Sequence, residues 1–149
     1  MASFAKPKFL AQRRVLIVED DPDVASALTL LVAHPRILTE VAPNGVRAIT
    51  KAREMKPSLI LLDVGLPVVA GDQVFHVLRD DRELRHVPVI FVTAHADQGA
   101  LKLEGLGSFE WLKKPFQEQQ LRDKVLAALR LKEEASGYRL QASGRDLPE

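Results

Sequence analysis

The chain has 149 residues, of which 46% are apolar and 28% are charged, and it contains no cysteine. This length and composition are typical of one soluble globular domain and argue against extended disorder. The lack of cysteine excludes disulfides, thiolate zinc sites and a thiol nucleophile. No stretch approaches the roughly 20 consecutive apolar residues of a membrane-spanning helix, so we expect a cytoplasmic protein without a membrane partner.

The formal net charge of +1 is distributed unevenly along the chain. Residues 1–14 carry four basic and no acidic side chains, which leaves 17 basic and 20 acidic ones in the remainder. The body of the chain therefore lacks the basic surface that nucleic-acid binding requires. We predict a basic N-terminal arm over residues 1–13, a folded domain over 14–132, and a polar tail or linker over 133–149. That tail is too short for a DNA-binding helix pair, so we expect no nucleic-acid binding by this chain alone.

Short apolar runs alternate with helical patterns from residue 14 onward. Unbroken runs rich in valine, isoleucine and leucine are typical of strands that are buried on both faces of a parallel sheet. The first predicted elements are a strand at Val15–Val18, a helix after Asp21, a strand at Ile37–Ala42, a helix from Val46 that ends before Pro57, and a strand at Leu59–Leu62. The remaining ones are a helix at Gln73–Arg79, a strand at Val87–Val92, a helix at Asp97–Leu106, a strand at Ser108–Leu112 and a helix at Gln117–Lys132.

Two of the predicted helices carry further signals. Asp21 followed by Pro22 is favourable for an N-cap and a first turn, so we expect Asp21 to cap the first helix. The helix at 97–106 contains Gly99 and Gly105, each of which costs about 0.5–1 kcal/mol against alanine, so we expect it to be short or mobile. The pattern as a whole amounts to five βα units, which implies a three-layer α/β sandwich around a parallel sheet.

Polar side chains follow the predicted strands at the edge where their carboxyl ends meet, which is where ligands bind in open α/β sheets. They are Glu19, Asp20 and Asp21 after the first strand, Asp63 after the third, Thr93 after the fourth, and Lys113 and Lys114 after the fifth. Clustered carboxylates repel one another unless a cation joins them, and oxygen ligands of this kind suit Mg²⁺. The sequence therefore predicts a Mg²⁺ site at this edge of the sheet.

Four motifs at these strand ends resemble those of the receiver domains of two-component response regulators. They are VLIVEDDPD at 15–23, LILLDVGLPVVAG at 59–71, VIFVTAH at 89–95 and WLKKPF at 111–116, and the resemblance covers residues 13–132. Pro67 and Gly71 also keep the family's spacing of four and eight residues after Asp63. The resemblance implies a flavodoxin-like, doubly wound fold with the parallel strand order 2-1-3-4-5.

The resemblance assigns roles at the site residue by residue. It makes Asp63 the phosphoacceptor, with the Thr93 hydroxyl and the Lys114 ammonium directed at the phosphoryl oxygens. The Lys-Pro-Phe register favours Lys114 over Lys113, and the family typically has a cis bond at this lysine–proline pair. Thr93 and Trp111 are the implied switch residues, although tryptophan stands where the family usually has tyrosine, phenylalanine or histidine.

The resemblance also implies a single cofactor, one Mg²⁺ ion. Asp20 and Asp63 are its implied direct ligands, together with the backbone carbonyl of Gly65. Glu19 is expected to bind it through a water molecule. No binding site for an organic cofactor is implied.

The implied function is a phosphorylation-activated signalling switch rather than an enzyme that acts on other molecules. The expected phosphodonor is a phosphohistidine on a histidine kinase or a histidine phosphotransfer protein. The implied output surface is the face of the fourth predicted helix, the fifth strand and the fifth predicted helix, which would bind a downstream protein or a second copy.

Two other functions compete with this interpretation. A receiver-fold scaffold that binds proteins without phosphate is one, and the complete set of acids, threonine and lysine speaks against it. A phosphohydrolase with an aspartyl nucleophile is the other. That chemistry usually needs a general acid two residues after the nucleophile, where this chain has Gly65.

Overall fold

The structure is a computed structural model that describes residues 12–66, 69–94 and 109–133. The elements in these ranges are β1 Arg13–Val18, α1 Pro22–Leu31, β2 Ile37–Ala42, α2 Gly45–Met55, β3 Leu59–Leu62, α3 Gly71–Asp80, β4 Val89–Thr93, β5 Phe109–Lys113 and α4 Glu118–Leu129. All neighbouring strands pair in parallel, in the order β2-β1-β3-β4-β5. The predicted fold class and strand order are therefore confirmed. Within the described ranges, none of the helices has the length and apolar character that crossing a membrane requires.

Helices cover both faces of the sheet, and each face has its own apolar core. Successive side chains of a strand point to opposite faces, so Leu16 and Val18 of β1 lie in the core with α2 and α3. Val15 and Ile17 lie in the core with α1 and α4. These four side chains are at most 1% exposed. Burial on both faces is the physical reason that Val15–Val18 of β1 form an unbroken apolar run.

Helix α1 begins directly after Asp21, as predicted, whereas α2 begins at Gly45, one residue before the predicted Val46. Asp21 caps α1, because its Oδ1 accepts hydrogen bonds from the backbone N–H of Asp23 at 2.9 Å and of Val24 at 3.4 Å. The side chain of Asn44 caps α2 in the same manner. Helix α2 ends at Met55, before Pro57. These caps fix the loops at the carboxyl edge of β1 and β2.

The fourth strand is shorter at its start than predicted. It begins at Val89, so the prediction of a strand from Val87 is wrong by two residues. Pro88 has no N–H to donate to a neighbouring strand. The carbonyl oxygen of Val87 accepts a hydrogen bond from Nη1 of the buried Arg79 at 2.9 Å, so a side chain satisfies it.

Other element boundaries also differ from the prediction. Helix α3 is longer at both ends than the predicted 73–79. Helix α4 ends at Leu129 and not at Lys132, because Arg130 adopts a left-handed conformation with φ 57°. The predicted helix at 97–106 and the predicted strand residue Ser108 lie outside the described residues.

Arg122 joins α4 to the end of α1 and to the chain that follows α4. Its Nη1 donates to the carbonyl oxygens of Leu31 at 2.8 Å and Ala33 at 3.1 Å. Its Nη2 lies 2.8 Å from Oε2 of Glu133. The last carbonyls of a helix have no partner within the helix, so this guanidinium stabilises the C-terminal end of α1.

Arg122→Gln is expected to lower the free energy of unfolding by about 1–3 kcal/mol, because it removes a charged donor from partly buried acceptors. Urea unfolding at neutral pH measures this change. The control is Lys124→Gln on the same helix, which breaks an exposed ion pair with Glu110 and is expected to cost less than about 0.5 kcal/mol. Equal losses in the two variants would contradict the structural role of Arg122.

Candidate functional site

The carboxyl edge of the sheet brings five polar residues together. Glu19 and Asp20 follow β1, Asp63 follows β3, Thr93 ends β4, and Lys114 follows β5. Because the strands are parallel and adjacent, these positions meet at one edge. The fold thus places at one edge of the sheet five of the residues that the sequence pattern assigned to a single site.

Three of these residues form a cluster of carboxylates. Glu19, Asp20 and Asp63 each offer an oxygen, and these oxygens lie within 4.8 Å of one another. Glu19 is buried, Asp63 is half-buried and Asp20 is exposed. Negative groups this close repel one another. Their donor set, all oxygen and partly open to solvent, fits Mg²⁺, which prefers a few carboxylates and keeps several waters.

Glu19 is the buried member of the cluster, with 3% of its surface exposed. Burial raises the pKa of Glu19 above its ordinary value, and the charge of Asp63 acts in the same direction. The backbone N–H of Asp21, 3.2 Å from Oε2, and the Lys114 ammonium, 3.2 Å from Oε1, oppose this effect on the pKa. These two contacts are the local compensation for placing a carboxyl group inside the domain.

The two lysines at the end of β5 occupy different environments. Lys114 is half-buried, and besides its contact with Glu19 its backbone N–H donates to the carbonyl oxygen of Thr93 at 2.8 Å. Lys113, the last residue of β5, is exposed. The peptide bond between Lys114 and Pro115 is cis. Lys114 is therefore the lysine that the fold places beside the carboxylates.

The loop after β3 holds the Asp63 carboxylate in place. Oδ1 of Asp63 accepts a hydrogen bond from the backbone N–H of Gly65 at 3.0 Å. The N–H of Gly71 donates to the carbonyl oxygen of Val64 at 3.0 Å. A Cβ on Gly71 would overlap the carbonyl oxygen of Asp63 and lie 2.7 Å from Cα of Val64. This close approach is the physical reason for a glycine eight residues after Asp63. Pro67, the other residue of that spacing, lies outside the described residues.

Thr93 and Trp111 lie on neighbouring strands, on the same face of the sheet. The register pairs Phe91 with Trp111 and Thr93 with Lys113. Thr93 is fully buried, and the Trp111 ring packs on Phe91 with 5.0 Å between the ring centroids. In the described part of the chain, the buried Nε1 of Trp111 has no hydrogen-bond acceptor.

Sequence reasoning missed one contact near the site. Gly45, the first residue of α2, packs closely against Val69 in the loop after Asp63. Here the sequence pattern predicted only the start of a helix, at Val46. The glycine itself was the available signal, because it stands within the first turn of a helix where alanine is the better helix former.

A family model described as the response regulator receiver domain matches residues 15–126. The chain is similar to the DNA-binding response regulator MtrA of Mycolicibacterium smegmatis, with 38% identity over 125 residues, which cover 83% of this chain and 53% of that protein. It is also similar to the sensor histidine kinase TmoS of Ectopseudomonas mendocina, with 31% identity over 139 residues, which cover 92% of this chain and 14% of that protein. The chain thus spans about half the length of MtrA.

Solved structures of receiver domains are similar as well. The signal receiver domain of a signal transduction histidine kinase from Syntrophus aciditrophicus superposes with a TM-score of 0.72 at 30% identity, covering 83% of this chain and 96% of that chain. The receiver domain of the sensor histidine kinase PA1611 from Pseudomonas aeruginosa superposes with a TM-score of 0.71 at 26% identity, covering 80% of this chain and 99% of that chain. That second structure has a magnesium ion coordinated in its active site cleft.

Proposed function

Because this chain belongs to the response regulator receiver domain family, we propose that it is a phosphorylation-activated signalling switch with Asp63 as its phosphoacceptor. The observation that carries the proposal is the meeting of Asp63 with Glu19, Asp20 and Lys114 at the carboxyl edge of the sheet. The proposed phosphodonor is a phosphohistidine on a histidine kinase or a histidine phosphotransfer protein. A receiver-fold scaffold that works without phosphate is the alternative that the experiment below separates.

The proposed reaction is a phosphoryl transfer to a carboxylate. An oxygen of Asp63 attacks phosphorus in line with the imidazole nitrogen of the donor, so an O–P bond forms as the N–P bond breaks and the nitrogen keeps the electron pair. The group in transit carries its charge on three equatorial oxygens, so catalysis consists mostly of positioning and charge neutralisation. The Gly65 N–H at 3.0 Å from Oδ1 restricts the orientation of the carboxylate before the attack.

Two side chains are proposed to stabilise the phosphorylated state. Lys114 has a flexible four-carbon stem, and its ammonium, which lies 3.2 Å from Oε1 of Glu19, would turn to a phosphoryl group on Asp63. The Thr93 hydroxyl would donate to another phosphoryl oxygen, and Trp111 would respond on the same face of the sheet. Glu19, Asp20, Asp63 and the Gly65 carbonyl would hold Mg²⁺, whose charge neutralises phosphoryl oxygens when it is bound.

The response is proposed to reach a partner through one face of the domain. This face comprises β5, α4 and the predicted helix at 97–106, and it would bind a downstream protein or a second copy. A phosphoryl group that is bound better by one arrangement of this face shifts its population toward that arrangement. We propose that the switch acts in the cytoplasm and that the described domain binds no nucleic acid by itself.

Incubation with Mg²⁺ and a small phosphodonor such as acetyl phosphate tests the function. Mass spectrometry is expected to find one added phosphoryl group on Asp63 of the wild type and none on Asp63→Asn. The control is Asp123→Asn, which removes an exposed carboxylate of α4 and is expected to leave the modification intact. A folded wild type that stays unmodified, with Mg²⁺ bound, would favour the scaffold function instead.

Asp20→Asn is expected to weaken Mg²⁺ binding by about ten-fold or more, because the site loses one of its few charged ligands. Fluorescence of Trp111, the single tryptophan of the chain, reports the titration. The control is Asp23→Asn, which removes an exposed carboxylate just outside the cluster and is expected to bind like the wild type. If Asp20→Asn and the wild type titrate alike, the metal site is not at this edge.

A further inference from the structure

Gly45 contacts the loop that follows Asp63 more closely than any other amino acid would allow. A Cβ on this residue would lie 2.8 Å from both Cβ and the carbonyl oxygen of Val69, and 2.9 Å from Cγ2 of Val74. The φ angle of Gly45 is outside the left-handed region, so the backbone conformation itself admits any residue. Glycine is therefore required here because any side chain would overlap the atoms of Val69 and Val74.

The atoms around Gly45 have little freedom to yield. Two of them, Cβ and the carbonyl oxygen of Val69, are fixed to the backbone, and the third is a methyl group on the buried side chain of Val74. Gly45 is itself buried at the start of α2, behind the Asn44 cap. A methyl group at position 45 must therefore displace either α2 or the backbone at Val69.

The backbone at Val69 is connected to the site over a short distance. Two residues later, Gly71 packs on the backbone of Asp63 and Val64 and donates to the carbonyl oxygen of Val64 at 3.0 Å. The loop that begins at Asp63 is thus held where it leaves β3 and again where it meets α2. A shift at Val69 would therefore be expected to reach the backbone of Asp63 and Val64 through Gly71.

We infer that Gly45 is a positioning residue for the acceptor loop, acting through Val69. By leaving room for Val69 against α2, it sets the backbone that carries the Asp63 carboxylate and the Gly65 carbonyl. The inference rests on the proposed function for its consequence, because a displacement of about 1 Å at a reacting group can cost up to a hundred-fold in rate. Gly45 itself contacts no reacting atom.

Gly45→Ala is expected to slow phosphorylation by a small phosphodonor about ten-fold or more, at a temperature where circular dichroism shows the variant fully folded. The control is Val32→Ala, which removes two methyl groups from the core on the opposite face of the sheet. It is expected to lower the unfolding temperature yet keep the wild-type phosphorylation rate. A folded Gly45→Ala with the wild-type rate would overturn the inference, as would equal slowing in Val32→Ala.

A second variant covers the case in which Gly45→Ala does not fold. Val69→Ala adds no atoms but removes the two methyl groups with which Val69 packs against the core beside α2 and α3, so the loop is expected to open more often. Amide hydrogen exchange at the hydrogen-bonded N–H groups of Gly65 and Gly71 is expected to be about five-fold faster or more, which corresponds to about 1 kcal/mol of lost protection. Val46→Ala, at an exposed neighbour of Gly45, is the control and should exchange like the wild type.

The exchange measurement does not depend on phosphorylation. If the wild type is never modified on Asp63, the proposed function fails, and the exchange rates still decide whether Gly45 and Val69 hold the loop. Wild-type exchange in Val69→Ala would overturn the inference even in a protein whose Asp63 is readily phosphorylated.

Discussion

Lys114→Ala is expected to remove the conformational response to a phosphodonor, whereas Lys113→Ala is expected to leave it nearly unchanged. The Nζ of Lys114 lies 3.2 Å from Oε1 of Glu19, beside the proposed acceptor, and Lys113 is exposed at the end of β5. A charge-assisted hydrogen bond is worth about 1.5–3 kcal/mol, so its loss shifts a two-state switch about ten-fold to a hundred-fold toward the resting state. The modification of Asp63 itself should persist, because the nucleophile is unchanged.

The two lysine variants serve as controls for each other. Both remove one ammonium group from adjacent positions, so a general effect of charge cancels in the comparison. Trp111 fluorescence during addition of phosphodonor follows the response, mass spectrometry counts the phosphoryl groups on Asp63, and thermal unfolding shows that both variants are folded. If Lys114→Ala keeps the conformational response and Lys113→Ala loses it, the register of the loop after β5 is wrong.

The sheet was the most predictable part of the fold. A strand buried on both faces must be apolar at every position, so Leu59–Leu62 and the run in β1 are visible without any partner information. Parallel order then places the strand ends together, and the polar residues after each strand identify the site. This is why the cluster of Glu19, Asp20 and Asp63 was predictable from the sequence.

What the sequence did not reveal depends on individual side-chain contacts and on the backbone conformation of single residues. The start of β4 is shifted because Arg79 binds the carbonyl of Val87, and the end of α4 is set by the left-handed conformation of Arg130. The contact of Gly45 with Val69 joins two elements that are far apart in the chain. No local pattern of hydrophobicity encodes such pairs, so only the folded structure reveals them. The predicted helix at 97–106 stays a prediction.

Helix propensity and packing predict opposite effects of Gly71→Ala on the stability of the folded state. Gly71 is the first residue of α3, and replacing glycine by alanine within a helix favours the folded state by about 0.5–1 kcal/mol. Against this, a Cβ at position 71 would overlap the carbonyl oxygen of Asp63 and lie 2.7 Å from Cα of Val64. Overpacking costs about 1–3 kcal/mol where side chains yield, and more where they do not.

The packing effect is expected to dominate at Gly71, because the atoms in the way belong to the backbone. The N–H of Asp63 donates to the carbonyl oxygen of Val18 at 3.2 Å, so the end of β3 is fixed to β1 and cannot move aside without breaking the sheet. Gly71→Ala is therefore expected to lower the free energy of unfolding by about 3 kcal/mol, net of the helix gain. It is also expected to slow phosphorylation of Asp63 in the fraction that stays folded.

Urea unfolding of Gly71→Ala and of His76→Ala decides between the two effects. His76 lies on the exposed side of α3, so its replacement changes helix propensity without adding contacts and is expected to alter stability by less than about 0.5 kcal/mol. A Gly71→Ala variant as stable as His76→Ala would show that the loop after β3 moves freely. The close packing of Gly71 on the Asp63 backbone would then be refuted. The proposed positioning of the acceptor, which depends on that packing, would be refuted as well.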